Sequence, residues 1–170
     1  MPNLFQLPRS LLPVLRPTGR DASLLRFCFF FMLLNLNTDP RDHSTCALTY
    51  EPENHWLRAT WRGFTDPAEA MRGAEAYLRL AARTPCPLLL NDNSALRGPW
   101  FDSLDWLAEV WVPQAGRLGL RCVAHVLQAD RHSDVLPPHM PAAVPFELQI
   151  FRNLAEAEEW LRQWRVPAAP

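Results

Sequence analysis

The sequence predicts an α/β fold, a mixed β-sheet with an N-terminal antiparallel hairpin and helices packed on it. Three observations predict it. Residues 45–62 hold two segments of period-two apolar alternation around a polar turn. From Thr65 onward, stretches with a helical apolar stripe alternate with short apolar runs. Two of those runs, Leu88-Leu89-Leu90 and 120–127, are apolar without alternation, as strands covered on both faces are.

Composition narrows the class. At 170 residues the chain fits one domain plus an extension. With 48% hydrophobic and 21% charged residues it has the make-up of a globular protein with a sizeable core. A net charge of −1 leaves no electrostatic footprint for nucleic acid or an anionic membrane. Cys28, Cys46, Cys86 and Cys122 form no Cys-x-x-Cys pair, so the reading is reduced, buried thiols in a cytoplasmic protein, with no metal or cofactor.

Residues 1–44 read as an extension, and the run FCFFFMLL at 27–34 is far short of the ~20 apolar residues that span a membrane. The basic front before it imitates a signal peptide without a cleavage site, and Met32 offers an alternative start. No integral membrane segment is expected. Residues 45–165 form the predicted domain and 166–170 a tail.

Within the domain, TCALTY (45–50) and WLRATWR (56–62) make the hairpin. Thr65-Asp66-Pro67 opens a helix reaching about Arg83, with Ala70, Met71, Ala74, Tyr77, Leu78 and Ala81 as its apolar stripe. After the strand 88–90, Asp92, Asn93 and Ser94 read as turn residues at a strand end, where open α/β sheets bind ligands. Asp102 and Ser103 are expected to cap a second helix over about 102–116, with Leu104, Leu107, Ala108, Trp111 and Ala115 facing the core. Trp106 and Val110 make that helix apolar on a second side. LRCVAHVL (120–127) is the next central strand, with His125 as a hydrogen-bonded core histidine. The long segment 128–145 has the length of a lid or binding loop. FELQIF (146–151) returns to the sheet, and Asn153 with Glu156 opens a last helix that buries Leu154, Ala157, Leu161 and Trp164.

In this order, residues 45–165 resemble the STAS domain of anti-sigma factor antagonists, and more closely the SpoIIAA-like proteins. WRGFTD leading into the first helix, PLLLND followed by FDSLDW, and FELQIF feeding NLAEAEEWL carry the resemblance. It implies a SpoIIAA/STAS-like layer fold. It also implies that Asp102 and Ser103 match a pair whose serine a partner kinase phosphorylates. Leu104-Asp105-Trp106 departs from the family's small residues at that point.

The expected function is that of a non-enzymatic regulatory or protein-interaction module acting through the 91–111 surface, with a protein partner or homodimer. Asp92, Ser94, Trp100, Asp102, Ser103 and Trp106 are its candidate regulatory or binding residues. The alternative is a small-molecule or lipid-binding domain, in which Trp100 and Trp106 meet a small apolar ligand under the 128–145 loop. No catalytic residues are expected: Ser, His and Asp occur without a Gly-x-Ser-x-Gly elbow. His132 and His139, near Asp130 and Asp134, match no metal-ligand spacing.

Overall fold

The computed structural model describes residues 32–128 and 144–165. Within them, six strands form one mixed sheet in sequential order: β1 (Met32–Thr38), β2 (Thr45–Glu51), β3 (Trp56–Phe64), β4 (Leu88–Arg97), β5 (Cys122–Val126) and β6 (Glu147–Phe151). β1 to β3 form an antiparallel meander, and β3 to β6 run parallel. The α/β expectation and the hairpin of β2 with β3 are both present.

Three differences from the sequence reading concern the strands and helices themselves. Among the described residues the first strand, Met32–Thr38, lies inside the stretch 1–44 read as an extension and pairs with β2 across a bulge near Leu34. β4 is ten residues long, running through the Asp92-Asn93-Ser94 stretch that reads as a turn. Arg62, Gly63 and Phe64 of β3 pair with Ala95, Leu96 and Arg97, and this keeps the chain extended. Trp164, expected in the core, is 41% exposed: the last helix ends at Gln163, and Trp164 follows it as the C-cap, its ring 5.8 Å from that of Trp160.

α1 (Pro67–Ala81) starts as expected. The Asp66 side chain accepts from the Glu69 amide while the Glu69 carboxylate accepts from the Asp66 amide, and Pro67 occupies the first turn. Its buried stripe is Ala70, Gly73, Ala76, Tyr77 and Ala81, which adds Gly73 and Ala76 to the predicted one and leaves Met71 and Ala74 half-buried at its margin. α2 covers residues 100–117 and changes pitch along its length. A 3₁₀ turn (Trp100–Ser103) leads through Leu104–Trp106 into a π segment (Leu107–Trp111) and an α segment (Val112–Arg117). Pro113 accounts for the wide turn: in a regular α-helix its ring would meet the Glu109 carbonyl. The Val112 amide donates to the Leu107 carbonyl instead, five residues back.

α1 and α2 lie over one face of the sheet, above Cys46, Leu48, Trp61, Leu89 and Val123. α3 (Leu154–Gln163) covers part of the other face, burying Ala157 and Leu161 against Trp56, Leu88, Leu90 and Cys122. Asn153 caps it by accepting from the Ala155 amide. Arg58 of β3 ties α3 down by donating to Glu51 and, at 2.5 Å, to Glu158. Among the described residues, no helix is long and apolar enough to cross a membrane.

Candidate functional site

Between the α1–α2 layer and the centre of the sheet lies a cavity of about 120 Å³. Strand alternation decides what reaches it: Trp61 and Ala59 from β3, Leu89, Asn91 and Asn93 from β4, and Val123 and His125 from β5. α1 offers Gly73 and Tyr77, and a side chain at Gly73 would not fit, since a Cβ there would stand 2.3 Å from the Trp61 ring. α2 closes the far wall with Trp100, Leu104, Leu107 and Trp111. Gly98, at φ +94°, makes the turn that carries the chain from β4 into α2, close under the Thr65 carbonyl. Trp111 packs at 5.4 Å from Tyr77 and, edge-on, 6.0 Å from Phe146.

The lining is mostly apolar, with one polar seam. Trp61 Nε1 donates to Asn91 Oδ1 at 3.0 Å. Asn91 Nδ2 lies 3.1 Å from Asn93 Oδ1 and 2.9 Å from His125 Nδ1. His125 is 5% exposed, and burial lowers its pKa from the usual 6.5 to about 4, so the ring is neutral at physiological pH. The Trp100 ring lies tilted against the imidazole with centroids 6.0 Å apart, and its indole N–H donates to Gln128 Oε1 at 2.7 Å. His125 Nε2, Trp111 Nε1 and Gln128 Nε2 are buried and have no partner among the described residues. Native interiors rarely leave such groups unpaired, and two of them, on His125 and Trp111, belong to rings that border the cavity.

The expected site residues separate. Trp100 is buried and lines the cavity. Asp92 sits on the opposite face of the sheet, paired in register with Thr60 and Val126, and accepts from the Ser94 amide. Ser94 is exposed. The structure thus brings neither Asp92 nor Ser94 to His125. Asp102 is exposed, and neither it nor Ser103 caps α2: the Ser103 hydroxyl, 2% exposed, donates to the Trp100 carbonyl at 2.6 Å. The 3₁₀ turn satisfies that end of the helix, which displaces the capping role expected of the pair. Trp106 is half-buried and outside the cavity. His132, His139, Asp130, Asp134 and most of the 128–145 loop lie outside the described residues, as does Cys28.

Asn91 is the residue the sequence reading missed. With β4 extended through residue 97, Leu89, Asn91 and Asn93 share one face, and period-two spacing to Leu89 is the signal that would have found it. Cys46, Cys86 and Cys122 are buried free thiols, and burial pushes Cys46 up to about 12 and Cys122 up to about 11. Elsewhere, Asp39, Asp42 and Glu69 bring carboxylate oxygens within 4.8 Å of one another, and Arg41 lies against Asp39 at 2.8 Å and holds it well below the usual carboxylate range.

Comparison with family models, curated proteins and solved structures finds no match for this chain.

Proposed function

We propose that this chain is a non-enzymatic ligand-binding module that takes a small, largely apolar molecule into the cavity between the sheet and the α1–α2 layer. The single observation that carries this reading is an apolar cavity of about 120 Å³ bordered by buried polar groups without partners. An engineered apolar cavity of about 150 Å³ holds benzene, so the expected ligand is of single-ring size. The test is native mass spectrometry of full-length protein purified gently from its source. A small mass released on denaturation is expected, and bare protein that no small ring compound stabilises would contradict the reading.

A second reading, a regulatory protein interface or homodimer over residues 91–111, is supported by half-exposed Trp106 and Val110, neither of which lines the cavity. Trp106→Ala separates the two: it abolishes a complex on the interface reading and leaves ligand affinity unchanged on the cavity reading. The resemblance to SpoIIAA-like proteins is carried as part of this proposal. It is supported by the order of strands and helices from β2 to α3.

A further inference from the structure

We infer that the ligand of this cavity is an uncharged ring compound bearing a hydrogen-bond acceptor, a carbonyl oxygen being the simplest, which receives the Nε2–H of His125. This rests on the cavity being a binding site and adds what the site recognises.

Trp61 Nε1 can only donate, so the Asn91 amide must turn its oxygen toward it. Asn91 Nδ2 then faces His125, and because Nδ2 can only donate, His125 Nδ1 must accept. A neutral imidazole that accepts at Nδ1 carries its proton at Nε2. That nitrogen is buried, belongs to a ring bordering the cavity, and has no partner among the described residues. Trp111 Nε1, on a second ring bordering the cavity, is also a donor without a partner. Both unpaired groups on the lining therefore donate, and what completes them must accept.

Charge is excluded on the same grounds. Among the described residues no arginine borders the cavity, so a buried carboxylate would meet only neutral donors in an apolar surround. A cation would leave both unpaired donors without an acceptor. An uncharged acceptor satisfies the donors without that desolvation cost. Selectivity follows: a site built to hydrogen-bond an oxygen discriminates against an isostere that lacks it.

The experiment titrates the full-length protein with three probes of one shape: cyclohexanone, methylcyclohexane and cyclohexanecarboxylate. Affinities come from calorimetry, and His125 is followed by its imidazole ¹⁵N resonances. The expected result is that cyclohexanone binds about tenfold more tightly than methylcyclohexane, carboxylate binds weakest, and Nε2 shifts on ketone binding while Nδ1 stays unprotonated. His125→Phe is expected to remove the preference for ketone over hydrocarbon and to keep hydrocarbon binding. Equal binding of ketone and hydrocarbon, or tightest binding of carboxylate, overturns the inference and leaves the cavity reading standing. Binding of none of the three overturns both.

Discussion

An indole nitrogen donates and never accepts, and this property of Trp61 passes through Asn91 to fix the proton on His125. The predicted tautomer is directly observable: Nε2 protonated and Nδ1 bare in imidazole ¹⁵N spectra at neutral pH, with the reverse pattern contradicting the chain of contacts. The same residue makes a pH prediction. Above pH 6.5 the ring is neutral in folded and unfolded chains alike. As pH falls, the unfolded chain takes up a proton near 6.5, while the folded ring resists until about 4. The unfolded form therefore binds more protons in that window, so stability falls from pH 6.5 to 4 and this contribution levels off below it. The full effect is on the order of 3 kcal/mol. Urea unfolding at pH 7 and pH 4 should show a smaller fall for His125→Gln than for the native chain.

The sequence contained the main helices and central strands but misassigned how far some of them run. Leu88-Leu89-Leu90 announces a buried strand, and Asn91-Asp92-Asn93-Ser94 looks like its end because such residues favour turns. In the fold their side chains find partners within the extended chain and beyond it: Asn91 with Trp61 and His125 on neighbouring strands, Asn93 with Asn91, and Asp92 with the Ser94 amide. Tertiary partners therefore override local preference. The site was half legible. Trp100 was singled out from its place beside the loop, whereas Asn91 was hidden by the misjudged strand length. The pitch change in α2 was not legible at all, although Pro113 is its cause in the sequence. Wide turns of this kind often accompany functional sites, and here the wide turn carries Leu107 and Trp111, both on the cavity wall. On α1, Gly73 permits the sheet and helix to approach around Trp61. Gly73→Ala is expected to cost about 1–3 kcal/mol in chemical denaturation, because Trp61 is held by its bond to Asn91 and cannot swing freely aside.

Across the whole molecule, the two faces of the sheet are packed differently. The α3 face carries a second apolar cluster with a partly buried ionic clasp, Arg58 between Glu51 and Glu158, the last of which also accepts from Arg162 at 3.1 Å. Arg58→Ala leaves the Glu51 carboxylate buried without its partner, and a stability loss on the order of 3 kcal/mol is expected by urea titration. Ligand binding on the other face should change little. That other face holds the cavity, framed by a long β4, a π-widened α2 and a glycine in α1. The account stands or falls on whether that space takes a guest. The measurement is calorimetric titration of cyclohexanone into the full-length protein and into Ala74→Leu, a variant that grows a side chain into the cavity from a partly exposed position. Saturable one-to-one binding to the native chain, with a negative heat-capacity change and at least a tenfold loss in the variant, is predicted. No saturable binding, or the same affinity in both proteins, would contradict it.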